Sequence, residues 1–228
     1  MNALKVIMEG LTASFRYPHF LQGVQPTFEM PPPATLYGLV CAMVGDNVAR
    51  DLTRYAVHFS YQTKFYDYEH LHFFGREPKM NPFKREMLFM PKLTLYLDNV
   101  ELEAYVRSPA YAISLGRSQD LMTITHLEQI SVQEAETAFF DGTLLTLEDA
   151  AEVGGQTYAV TMPRFIDEAR QAEWAQFSVL PHTPRPRIYP DSGEGIIFGG
   201  RSWSVDPSEP HPFIEGVYRA IVWHNWSN

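Results

Sequence analysis

Three consecutive prolines, Pro31-Pro32-Pro33, constrain this chain more than any other feature. Each fixes φ near −65° and removes a backbone donor, so neither a helix nor a central strand runs through them. Proline suits the first helical position, so a helix can begin at Pro33. The next residues agree: Leu36, Leu39, Val40, Met43 and Val44 recur at three- and four-residue spacing, which predicts a helix over 34–52. The free N–H groups of such an N-terminus suit phosphate or carboxylate. The plainer reading is a rigid entry turn that seats the helix on a sheet.

Strand patterns surround this helix. Leu4, Val6 and Met8 alternate with polar residues, and Leu11, Ala13 and Phe15 resume after Gly10, giving a strand over 3–15 with a bulge at the glycine. A loop at 16–33 precedes the helix, and 55–66 is rich in β-formers. Residues 92–97 and 101–107 read as a hairpin across Asp98-Asn99. Short strands fit 110–115, 121–130, 156–162, 176–180, 186–190 and 214–224, with helices at 131–141 and 146–151. This β-α-β order followed by strands predicts an α+β chain built on a ferredoxin-like sheet with helices on one face. Residues 1–150 would form that domain and 151–228 a small β-rich unit.

The segment 67–91 is long, aromatic and basic, and Gly75, Pro78 and Pro82 interrupt any regular pattern. A loop of that length in a compact domain is usually functional, and its aromatic content argues against disorder. From 64 to 92, six cations (Lys64, Arg76, Lys79, Lys84, Arg85, Lys92) face four carboxylates, inside a chain of net charge −9. That bulk charge argues against a general polyelectrolyte surface for nucleic acid. Arginines outnumber lysines thirteen to five, which favours discrete sites, because the guanidinium fork matches phosphate and stacks on bases.

Tyr66, Tyr68, Phe73, Phe74 and Phe83 alternate with these cations in the pattern used for unpaired RNA, where rings take bases and cations take phosphates. Residues 113–120 (ISLGRSQD) run a strand end into Gly116, Arg117 and Ser118. Glycine permits close backbone approach and the neighbouring arginine can clamp phosphate, or the segment is a turn with a solvated arginine. His58, His70, His72 and His126 form no metal set with a cysteine or carboxylate cluster, and His58 reads as packed in its strand. Nucleophile elbow, Walker loop and dinucleotide fingerprint are lacking, and the glycines of 193–201 read as turns. Cys41 is the single cysteine, so no intrachain disulfide or thiolate zinc site forms. A reducing cytoplasm is expected, with no apolar leader and no run long enough to span a membrane.

The strand ending in Phe15-Arg16, the run Pro31-Pro32-Pro33-Ala34-Thr35-Leu36-Tyr37-Gly38-Leu39 and the turn Leu115-Gly116-Arg117-Ser118 together resemble the fifth CRISPR-associated (Cas) protein family, type I-B-like, of the RAMP superfamily. The resemblance spans most of the chain. It implies an RRM-like, ferredoxin-like domain with a long β-hairpin thumb, placed at 67–91, and a small C-terminal β-unit. It further implies a non-catalytic, cofactor-free subunit that caps one end of a type I Cascade and holds the crRNA 5′ handle. Partners would be the repeating backbone subunit, the large subunit, a separate handle-processing ribonuclease, and target DNA near the PAM. RNA contacts are expected from Arg16, Tyr37, Gly38, Lys64, Lys84, Arg85, Gly116, Arg117 and Ser118. One branch of the family cuts precursor crRNA without metal, using a tyrosine with adjacent lysine and histidine. Here no Lys-His pair exists, so Tyr37, Lys64 and His58, His70 or His72 would have to meet in space.

Overall fold

Two β-α-β units assemble the central sheet. The computed structural model describes residues 1–20, 23–73, 79–153, 157–182 and 196–227. β1 (Asn2–Gly10) leads through the short strands β2 (Thr12–Ala13) and β3 (Val24–Gln25) to α1 (Pro33–Val44) and β4 (Tyr55–Ser60). After the hairpin β5 (Thr63–Phe73) and β6 (Lys79–Phe89), β7 (Lys92–Leu97) leads through a 3₁₀ turn and α2 (Glu103–Arg107) to β8 (Met122–Ser131). These strands lie in the order β4-β7-β1-β8, all antiparallel. That is the ferredoxin-like arrangement, with the β5–β6 hairpin inserted between its second and third strands. Because Ser60 pairs with Lys92, the hairpin leaves and re-enters the sheet at one point.

The chain then extends this sheet and adds a barrel. β10 (Thr143–Leu145), β12 (Ala172–Leu180) and β11 (Tyr158–Ile166) continue beyond β4 to give seven strands, while α3 (Leu147–Val153) follows β10. β9 (Gln133–Phe140), β13 (Ile196–Pro210) and β14 (Tyr218–Ala220) close into a small barrel. Residues on either side of position 150 therefore share both sheets. β6 carries β5 on one edge and β2 and β3 on the other.

The helix after the prolines begins at Pro33, and Thr35 and Leu36 donate their amides to the Pro32 carbonyl. It stops at Gly45, whose φ of 92° caps it in the left-handed region, so the expected extension to 52 is not helical. Its N-terminus is covered: Pro31, Pro32 and Pro33 are buried, and the Trp226 indole donates to the Pro33 carbonyl at 2.9 Å. The seating turn is thus the role of the prolines. Leu36, Leu39, Val40 and Met43 pack with β1, β4 and β7 residues such as Leu4, Val57 and Leu95 in the main core.

Several expected elements take other forms. Residues 101–107 are not the second arm of a hairpin. Asn99 accepts the Glu101 amide, Glu103 pairs with Arg107 one turn on, and Leu102 and Val106 bury four residues apart, which together make a helix. Residues 131–141, expected helical, form β9, because Ala138 and Phe140 pack into the barrel core with Trp203 and Val205. The glycines of 193–201 lie partly outside the described residues, and from Ile196 they enter β13 rather than a turn. The strand expected at 110–115 reduces to one bridge, Ser114 to Leu121, and that at 214–224 to β14. The strand expected at 186–190 lies outside the described residues.

His224 is buried, stacks on Tyr55 at 5.5 Å and hydrogen-bonds the Leu144 carbonyl through Nε2. Burial lowers its pKa below 6.5. The unfolded chain therefore binds the proton first, and this contribution to stability is present above about pH 6.5 and is lost as pH falls. Melting temperature is expected to drop between pH 7 and 5, and His224→Gln is expected to flatten that slope, by up to about 1.4 kcal/mol per pH unit.

Candidate nucleic-acid interface

The β5–β6 hairpin sorts its side chains by strand alternation. Tyr66 lies opposite Glu86 and Tyr68 opposite Lys84, so these four share one face. Phe83, Arg85 and Met87 turn to the other face and are buried. On the outer face Tyr66 is 56% and Tyr68 63% exposed, and the Lys84 ammonium sits 5.7 Å from the centre of the Tyr68 ring. This is a stripe of accessible rings with a cation held against one of them, suited to stacking bases while contacting phosphate. The side chains of 71–81 and residues 74–78, which include Phe73, Phe74, Arg76 and Lys79 of the expected site, lie outside the described set.

The other predicted cations divide by partner. Arg16 is exposed, with no ion pair among the described residues. Lys64 pairs with Glu29 and lies 3.9 Å from Glu86. Arg85 and Arg117 converge on one carboxylate: Arg85 Nε lies 2.8 Å from Glu69, and Arg117 Nη1 pairs with the same side chain. Arg117 also donates from Nε and Nη2 to both oxygens of Asp120, at 2.9 and 2.8 Å. These hydrogen bonds raise the Arg117 pKa, keeping it permanently charged. Asp120 is buried and accepts from the Thr12 hydroxyl at 2.7 Å. The Arg117 fork is thus an internal strut that ties the 116–120 turn to β2, through Asp120 and Thr12, and to β5 of the hairpin, through Glu69.

Gly116 holds this turn against β2. Its φ is +102°, and a Cβ there would lie 2.5 Å from the Ser14 carbonyl oxygen. Ser118 beside it is exposed. Gly38, by contrast, is exposed on α1 with an ordinary helical φ, and a Cβ added there would meet nothing within 4 Å. Gly116→Ala is expected to destabilise the chain by about 2–3 kcal/mol in thermal melts. Gly38→Ala is expected to stabilise it by about 0.5–1 kcal/mol.

Tyr37 is in the core rather than on a surface. It packs edge-on against Phe165 and Trp226, at 4.9 and 5.5 Å, and its hydroxyl donates to the Val48 carbonyl at 2.6 Å. Burial pushes its pKa up to about 12. The Tyr37 hydroxyl bonds the Val48 carbonyl, Lys64 pairs with Glu29 and His58 lies against Asp141, while the side chain of His72 lies outside the described residues. A further cluster escaped sequence reasoning: His58 of β4 meets Asp141, just before β10, and His182, just after β12. They are far apart in sequence and share no motif, so no local signal could have grouped them.

No family model matches the chain, and no curated protein matches it. Solved structures do. A chain of a CRISPR RNA-guided surveillance complex superposes with a TM-score of 0.54 at 10% identity, covering 80% of this chain and 94% of that one. A CRISPR protein from Archaeoglobus fulgidus superposes with a TM-score of 0.50 at 13% identity, covering 90% of this chain and 94% of that one. At these identities the likeness is one of fold. Among the described residues no helix is long and apolar enough to cross a membrane. The chain has an α+β, ferredoxin-like fold of the kind found in CRISPR-associated proteins.

Proposed function

We propose that this chain is a non-catalytic, RNA-binding subunit of a type I CRISPR surveillance complex, in which it grips the crRNA 5′ handle and contacts the repeating backbone subunit and the large subunit. The observation that carries the reading is the exposed Tyr66–Tyr68–Lys84 stripe on a hairpin that springs from a ferredoxin-like sheet. Likeness of fold to a surveillance-complex chain supports the same assembly. Unpaired handle bases would stack on the two rings while Lys84 and Arg16 meet phosphates. The acidic remainder of the chain would discourage loose binding to bulk nucleic acid and suit docking to basic neighbours.

Co-expression of the tagged chain with neighbouring genes and a CRISPR array tests this. Guide-length RNAs sharing a 5′ handle, recovered with a repeating subunit, are the expected result. Recovery of no RNA, or of random fragments, overturns it in favour of a protein scaffold. Specific cleavage of a repeat RNA in EDTA would instead make the chain a metal-independent endoribonuclease. Lys84 is the discriminating position, because Lys84→Ala removes a cation without orphaning a carboxylate. Alanine at Arg117 leaves the buried Asp120 without its ion-pair partner, and alanine at Arg85 removes one of the two arginines on Glu69, so both confound binding with folding.

A further inference from the structure

Three strands of the main sheet bring two imidazoles and a carboxylate to one point. Thr143 of β10 pairs with both His58 of β4 and Leu180 of β12. Antiparallel register therefore sets Asp141, two residues before Thr143, opposite His182, two residues after Leu180. Gly142 lets the turn close down on β4: its φ is +52°, and a Cβ there would lie 2.4 Å from the Phe59 carbonyl and 3.1 Å from the His58 ring. The turn is fixed by the Phe59 amide donating to the Gly142 carbonyl at 2.7 Å and by the Thr143 hydroxyl donating to the Val57 carbonyl at 3.0 Å.

His58 Nε2 lies 3.3 Å from Asp141 Oδ2, and His182 Nδ1 lies 2.7 Å from the same oxygen. All three ligand atoms fall within 4.8 Å of one another. Ligands at about 2.1 Å from a tetrahedral ion stand roughly 3.4 Å apart, so the His58–Asp141 separation already fits. The His182 contact must widen by a few tenths of an ångström. It is the most exposed of the three side chains, at 26% against 12% and 9%, and it lies beyond the end of its strand. His182 also lines a cleft of about 320 Å³ beside Tyr61, Gln62 and Lys92, which gives an ion a route in. We propose that His58, Asp141 and His182 form a binding site for one divalent first-row transition cation of the Zn²⁺ class, a His₂-carboxylate set with a fourth position left to water.

Arg219 is the competing cation. Its Nη1 lies 3.9 Å from Asp141 Oδ2, but its Nε also faces Glu209 at 3.8 Å and its guanidinium lies 4.9 Å from the Phe139 ring centre. Nη1 is buried and has no hydrogen-bond partner, so the guanidinium does not satisfy the carboxylate as a bonded pair would. It weakens the ion's hold without occupying the ligand atoms.

The test uses the full chain stripped of metal. Zn²⁺ is titrated against a chromophoric chelator, and Co²⁺ is titrated while the visible spectrum is followed. The expected result is one ion per chain, a tetrahedral Co²⁺ band with imidazole ligands, and a Zn²⁺-dependent rise in melting temperature. His182→Ala is the decisive variant, since its exposure leaves the fold intact, as an unchanged metal-free melt will verify. It is expected to weaken binding at least about tenfold, with Asp141→Asn doing the same and the exposed His126→Ala leaving it unchanged. Absence of Zn²⁺ binding and of the Co²⁺ band, or equal binding by the folded His182→Ala chain, would overturn the proposal and leave a hydrogen-bonded His-Asp-His cluster only.

Discussion

The double variant Tyr66→Ala/Tyr68→Ala is expected to bind handle RNA about thirtyfold more weakly or worse, while melting within a few degrees of the parent chain. Stacking of a base on an aromatic ring is worth roughly 1–3 kcal/mol, so two rings supply roughly 2–6 kcal/mol. Both rings are more than half exposed, so their removal leaves no cavity. Lys84→Ala is expected to act differently, through phosphate. It should weaken binding across sequences and reduce the dependence of log affinity on log salt by about 0.7. Affinity titrations at two or more salt concentrations separate the two effects. Unchanged affinity in both variants would move the RNA contact off this hairpin.

Lys5→Met is expected to be the most damaging single change to stability, at about 3–5 kcal/mol, or roughly 10 °C in melting temperature. Lys5 lies on β1 with its side chain buried, and its ammonium meets Asp206 at 2.9 Å and Glu209 at 2.6 Å. Asp206 is fully buried on β13 and also accepts from the Tyr96 hydroxyl at 2.9 Å and from the Ser208 hydroxyl at 2.7 Å. Burial alone would push the Asp206 pKa up, but the hydrogen bonds from Lys5 and Ser208 outweigh it and hold the carboxyl below its ordinary value. Its contribution is therefore present above the unfolded-state pKa and lost as pH falls. Removing the lysine leaves a buried, uncompensated charge. Pairing Lys5→Met with Asp206→Asn is expected to recover most of the loss, which a thermal double-mutant cycle will measure. A double variant as unstable as Lys5→Met alone would show that packing around the stem matters more than charge.

Legibility in the sequence followed the range of the interactions. Pro33 starts α1 because proline geometry is local, and the 3/4 spacing of Leu36, Leu39, Val40 and Met43 reports a face that is in fact buried. Gly45 ends the helix eight residues earlier than expected, since its left-handed φ of 92° turns the chain out of the helix and the Asp46-Asn47 pair follows it. The Glu134–Phe140 stretch has helix-forming residues, yet pairing with β13 across the barrel overrides that preference. In the site, the Tyr66 and Tyr68 stripe was visible as aromatics among cations. The sorting of Lys84 outward and Arg85 inward follows from alternation once a strand is known, and Pro82 concealed the strand. Tyr37 looked like a contact residue because it follows the prolines, but its ring fills the space between α1 and Trp226. The reduction of Arg117 to a strut required Glu69, which lies 48 residues away.

The Trp226 indole meets the Pro33 carbonyl across 193 residues, and Lys5 meets Glu209 across 204. Closing loops of that length must precede the contacts that reward them, so this topology belongs with slow folders. During synthesis the start of α1 lacks its cover, and the buried lysine its counter-charges, until residues 206–226 have left the ribosome. The main core can then only close after translation of that segment, and the interval before closure is when the half-made chain is open to capture by chaperones, by RNA or by the neighbours with which it assembles.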